Sequence, residues 1–167
     1  AGAKLGLPGD GAALALQRRW EALMAQARLD MSLAYRALAR VRSDNALAGT
    51  PSLLLAAAAT DPAALGSSLE ALSAWLVDYR AAIAGQGAEP GLRMAAMNAV
   101  NPWLVPRNWL LHQAAEAAAV GNNAPLLRLQ QAVQQPYVED PQWADLVAPC
   151  PPGLLRQPGC SLLSCSS

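Results

Sequence analysis

Three cysteines, one histidine and a cluster of asparagines around one arginine are the side chains here that could do chemistry. Cys150, Cys160 and Cys165 fall within the last 18 residues, and His112 is the single histidine. Sulfur acts as a nucleophile or ligand in its thiolate form, which requires exposure and a nearby cation. Cys165 is expected to be exposed, and the closest cation in sequence is Arg156. Cys150 follows Ala148-Pro149 and precedes Pro151, with no cation beside it, and reads as inert. A zinc site would need all three cysteines plus a residue such as His112 from a distant helix, and none is expected. An odd number of cysteines in a Pro/Ser-rich segment is not a disulfide framework. His112 could act as a general base. Glu116 is its one acidic neighbour at helical spacing, so it reads instead as a paired, partly buried side chain.

Asn98, Asn101, Pro102, Arg107 and Asn108 form the other candidate, within Met97 to Asn108. They could hold a ligand. They could equally punctuate helices, because asparagine side chains satisfy orphan backbone groups at helix ends and arginine can bridge carbonyls or a carboxylate. The residue types favour the structural role.

The elements that must position these residues are helical. Apolar residues make up 53% of the 167, charged residues 14%, and Phe is absent. The apolar fraction is mostly Ala and Leu, the strongest helix formers, while β-branched residues are scarce. An all-α domain of about six to seven helices is expected. Asp10 is an N-cap for a helix carrying Leu16, Trp20, Leu23, Met24 and Ala27 at helical spacing. A second helix runs from near Asp30 to Arg42. Leu53 to Ala59 is either a short buried helix or an Ala-rich linker. Asp61-Pro62 starts a long helix with Leu65, Leu69, Leu72, Leu76 and Tyr79 on its apolar stripe, ending near Ala84. Glu89-Pro90 opens a helix through Met94 and Met97 that Asn101-Pro102 breaks. Pro106 fits the first turn of the next, which Gly121-Asn122-Asn123 closes. Pro125 and Asp140-Pro141 begin the last two. Residues 1–148 are expected to form the helical region, and 149–167 a flexible Pro/Ser/Cys tail.

The net charge is zero and no basic cluster is present, so nucleic acid is not an expected partner. No apolar run approaches the length of a membrane span, and none is expected. No secretory signal is visible, and any targeting segment would lie upstream.

Several stretches resemble the C-terminal region of the selenoprotein O (SelO/YdiU) family. Met97, Asn98, Asn101, Pro102, Val105, Arg107 and Asn108 are similar to the family's M-N-x-x-N-P-x-x-V-x-R-N, followed by Gln113-Ala114-Ala115-Glu116-Ala117-Ala118. Trp75, Tyr79 and Arg80 resemble its W-x-x-x-Y-R helix. Ala3-Lys4-Leu5-Gly6-Leu7 is similar to its A-K-L-G-L, and Tyr35-Arg36-Ala37-Leu38 to its F/Y-R-x-L-S. Pro136-Tyr137, Pro141, Trp143 and Ala144 follow its P-[FY]-x-E-x-P-x-[YW]-A. The chain departs at Trp103-Leu104, where the family has Lys-Tyr, and at Pro106, where it has an aliphatic residue.

The resemblance implies the C-terminal part of a protein-kinase-like fold. It implies transfer of AMP from ATP, with Mg2+, to Ser, Thr or Tyr hydroxyls of protein substrates. No catalytic residue can be carried over: the chain has no G-x-G-x-x-G, Walker sequence, D-F-G or H-R-D. The expectation is therefore an upstream kinase-like core as partner, with ATP and Mg2+ bound there and by no residue of this chain. Cys165 stands where some eukaryotic members carry selenocysteine, so a redox-regulatory role is implied for it. Cys160 is its candidate partner, in a C-x4-C spacing where the family's C-x-x-U would put the partner at Leu162. The compartment is open between bacterial cytoplasm and a mitochondrion or plastid. A helical protein-interaction module and a self-sufficient thiol oxidoreductase tail are the rival readings.

Overall fold

Capping carboxylates open several of the helices in the structure, a computed structural model that describes residues 2–44 and 50–154. Asp10 Oδ1 accepts from the Ala13 N–H at 2.8 Å and starts α1 (Gly11–Gln26). Asp30 accepts from the Leu33 N–H at 3.0 Å and starts α2 (Met31–Ala39). Each satisfies a donor that the first helical turn leaves without an intrahelical partner. A short α3 (Pro51–Leu55) runs into a 3-10 turn over Ala56–Ala58, so Leu53 to Ala59 is a short helix rather than a linker. Asp61 caps α4 (Pro62–Ser67), and α5 (Leu69–Ala84) follows at once. Glu89 caps α6 (Pro90–Val100), accepting from the Leu92 N–H at 2.8 Å. The remaining helices are α7 (Asn108–Ala119), α8 (Ala124–Ala132) and α9 (Ala144–Val147). Among the described residues there is no β-strand, only an isolated antiparallel bridge between Leu29 and Ala59.

The fold is all-α as expected, with nine α-helices among the described residues rather than six or seven. Part of the difference comes from the helix expected after Asp61, which breaks at Ser68. The Ser67 and Ser68 hydroxyls both donate to the Ala64 carbonyl, at 3.0 and 2.9 Å, next to Gly66. Such back-bonding competes with the helical ladder, and glycine removes local stiffness. The start of α7 also differs. Pro106 lies outside it, and Arg107, extended at φ −71° and ψ 150°, is its N-cap.

Two compact units are present, Ala1–Asn101 and Pro102–Ser167. The first packs around aromatic rings. Trp20 and Trp75 lie 4.6 Å apart between centroids, Trp75 stacks on Tyr79 at 5.0 Å, and Tyr35 meets Trp20 edge-on at 6.4 Å. Leu5, Leu38, Leu55, Leu72 and Met97 close around them, all fully buried. Alanine faces let the helices approach, and the rings supply the apolar area that alanine lacks. In the second unit α7 packs on α8, with Leu104, Leu110, Ala114, Leu129 and Leu146 buried. Its α7 ends in a Schellman turn. Gly121 takes φ +84°, the Gly121 N–H donates to Ala118 O, and the Asn122 N–H donates to Ala117 O, both at 2.9 Å.

The end of α1 uses the same turn with the wrong residue. Arg28 sits at φ +50°, while the Leu29 N–H donates to Met24 O at 2.9 Å. Arginine suffers a Cβ clash in that region that glycine avoids. Its ion pair with Asp61, at 3.4 Å and largely exposed, contributes little. Arg28→Gly is expected to stabilise the protein by about 0.5–1 kcal/mol. Urea denaturation checks this; a lower midpoint for the variant would show that Arg28 contributes contacts outweighing its strain.

Candidate functional site

The motif residues build the interior of their units. At the start of the first unit the 3-10 turn Gly2–Leu5 leads to Gly6 at φ +64°. A Cβ on Gly6 would come within 2.9 Å of Arg93 Cγ and of Met97 Cγ and Sδ. Glycine is thus required twice there, for its φ and for the close approach of α6. Leu5 is fully buried and its carbonyl accepts from the Tyr79 hydroxyl at 2.8 Å. Trp75, one helical turn earlier on α5, donates its Nε1–H to Leu16 O at 3.0 Å. The two aromatics of the W-x-x-x-Y-R stretch therefore tie α5 to α1 and to the lead-in turn.

Arg93, on α6, is the charged group that sequence reasoning missed. It is 7% exposed, and it was invisible because its spacing matches no motif. Its Nη1 donates to Tyr79 Oη at 2.9 Å. Its Nη2 donates to Ala39 O at 3.2 Å and to Val41 O. A guanidinium can do this because its donors form a fixed fork. It gathers the end of α2, α5 and α6 at one point.

Burial pushes the Tyr79 phenol up to about 12, with the Arg93 charge opposing. Burial, and then Glu21, also raise the Tyr35 phenol. An unfolded tyrosine ionises near 10, so the folded state holds the proton more tightly. Stability from this term is complete below pH 10 and is lost as pH rises toward 12. Over that window Tyr79 is expected to cost about 2–3 kcal/mol. Thermal melts at stepped pH should show a steep alkaline loss that is shallower in Tyr79→Phe; equal slopes would contradict this.

The Asn/Arg cluster divides between the units. Asn98 is half-buried on α6, with its Oδ1 closed off from solvent and without a donor among the described residues. Asn101 is 2% exposed at the C-terminal cap of α6, and its Nδ2 donates to Lys4 O at 2.9 Å. Pro102 opens the second unit. Arg107 is buried, and its Nη1 donates to Leu146 O at 3.3 Å. Asn108 is the half-buried first residue of α7. His112 Nε2 lies 3.3 Å from Glu116 Oε1, one turn along α7. Cys150 is buried with its Sγ–H toward Pro151 O at 3.7 Å, and Cys160 and Cys165 lie outside the described residues.

Carboxylates are mostly committed elsewhere. Asp10, Asp30, Asp61, Glu89 and Asp140 cap helices. Asp44, Asp78 and Asp145 pair with Arg42, Arg19 and Arg128. Arg128 holds both oxygens of Asp145, at 2.6 and 2.7 Å, and lies over the Trp143 ring at 5.3 Å. Its hydrogen bonds hold the Asp145 carboxyl below the usual range. Among the described residues no group of three His, Cys, Asp or Glu could hold a metal ion. No helix among the described residues is long and apolar enough to cross a membrane.

These features define an all-α protein whose motif residues join elements together. No family model matches the chain. It is 38% identical to a protein of Azoarcus sp. (strain BH72) over 144 residues, 86% of this chain and 27% of that protein. It is 38% identical to one from Methylobacillus flagellatus over 146 residues, 87% of this chain and 27% of that protein. A shorter match, 47% over 77 residues, is to a protein of Aeromonas hydrophila subsp. hydrophila, covering 46% and 16%. All three are named Protein nucleotidyltransferase YdiU. Over most of its length the chain is thus similar to proteins of that name, and it spans about a quarter of the length of the relatives it matches.

Proposed function

We propose that this chain is the C-terminal helical portion of a protein adenylyltransferase, supporting a nucleotide-binding core that lies in polypeptide outside it. The whole protein would transfer AMP from ATP, with Mg2+, to hydroxyl side chains of other proteins on a kinase-like fold. The observation that carries this reading is the internal use of the motif residues. Leu5, Gly6, Trp75, Tyr79, Asn101 and Arg107 each join one element to another. Residues held this way transmit rigidity, which a catalytic lobe needs from its support. Cys165 would add a redox-sensitive thiol, and Cys160 is its candidate partner within the chain.

The test is replacement. In the Azoarcus protein, the matched 144-residue stretch is exchanged for this chain. A single cooperative melt, shifted upward by ATP and Mg2+, is the expected result. Two independent transitions, with the ATP-sensitive one unaffected by the presence of this chain, would sink the supporting role.

A further inference from the structure

Helix α6 turns its only charge inward and shows an apolar face to solvent. Its one charged residue, Arg93, is buried, while Leu92 is 73% exposed and Val100 40%. Ala95, Ala96 and Ala99 are exposed between them. A helix bordering water carries its polar residues on the outer face and its apolar stripe inward. Here the outer face has no charge at all, and contiguous exposed apolar surface of this kind marks an interface. The other long helices of the unit differ: α1 presents Arg18, Arg19 and Glu21 to solvent, and α5 presents Glu70 and Asp78.

We propose that the outer face of α6, centred on Leu92 and Val100, is covered by the part of the full-length nucleotidyltransferase that lies outside this chain. This rests on the supporting role proposed above and names the surface that performs it. The occupant is chosen by length: the matched stretch is 27% of the Azoarcus protein, so nearly three quarters of that polypeptide has no counterpart here. Arg93 and Met97 would couple the covered face to the core, because both lie on α6 and contact Tyr79.

The test measures accessibility directly. L92C and V100C are made singly in a C160S/C165S background, and V120C, at an 83% exposed position in the second unit, is the control. Maleimide alkylation rates are compared between the isolated chain and the Azoarcus hybrid carrying it. L92C and V100C should react at least tenfold more slowly in the hybrid, with V120C unchanged. Equal rates for L92C and V100C in a hybrid that still melts as one unit would overturn this assignment and leave the supporting role standing. A hybrid that melts as two units with equal rates would overturn both. Slow alkylation in the isolated chain would mean that the chain covers its own face, and slowing with rising concentration would assign the face to a second copy; either overturns the proposal.

Discussion

Trp75→Ala is expected to cost about 3–5 kcal/mol, the range for truncating a fully buried tryptophan. Trp75 is 0% exposed, stacks between Trp20 and Tyr79, and donates to the Leu16 carbonyl. Truncation removes both ring contacts, opens a cavity between α1 and α5, and removes the hydrogen bond that ties α5 to the Leu16 carbonyl. A loss of that size approaches the whole stability of an ordinary domain, about 5–15 kcal/mol. The variant should therefore be largely unfolded near 37 °C by circular dichroism. Leu53→Ala, at a 79% exposed position, should leave the midpoint unchanged. A Trp75→Ala protein within about 1 kcal/mol of the parent would mean that the aromatic stack does not organise the first unit.

Arg93→Met is the second large effect. Two terms oppose one another. Methionine removes the desolvation cost of a buried cation, which favours the variant. It also strips the donors from Ala39 O, Val41 O and the Tyr79 hydroxyl in the interior. Each orphaned group costs about 1–3 kcal/mol. The Tyr79 hydroxyl keeps its bond to Leu5 O, but the two orphaned carbonyls outweigh the relief, and a net loss of about 2–4 kcal/mol is expected by chemical denaturation. Arg93→Lys should recover part of it, since an ammonium lacks the fork geometry. A neutral or stabilised Arg93→Met protein would show that the guanidinium is not holding α2, α5 and α6 together.

Much of this architecture is legible in the residues. Asp10, Asp61 and Glu89 announce helix starts because a short carboxylate before a helical pattern has one local use, and that use depends on nothing distant. Leu72, Leu76 and Tyr79 announce their buried face through spacing alone. Ser68 illustrates where local reading ends: its hydroxyl can point to solvent or back to Ala64, and the packing of α5 decides. Arg93 was hidden for the same reason. A lone arginine between Leu92 and Met94 reads as the solvent side of an amphipathic helix, and only the carbonyls of Ala39 and Val41, more than fifty residues away, turn it inward. The Asn98 to Asn108 stretch was legible as a family mark. Its division between two units, with Asn101 fastened to Lys4 and Arg107 to Leu146, depends on contacts that no spacing encodes.

The most direct measurement is transfer of label from ATP, marked at its α-phosphate, to protein in the presence of Mg2+. The isolated chain and the Azoarcus hybrid containing it are assayed side by side. Labelled protein from the hybrid and none from the isolated chain is the predicted outcome. Labelling by the isolated chain would contradict the account, because it would place a working nucleotide site within residues assigned here to support.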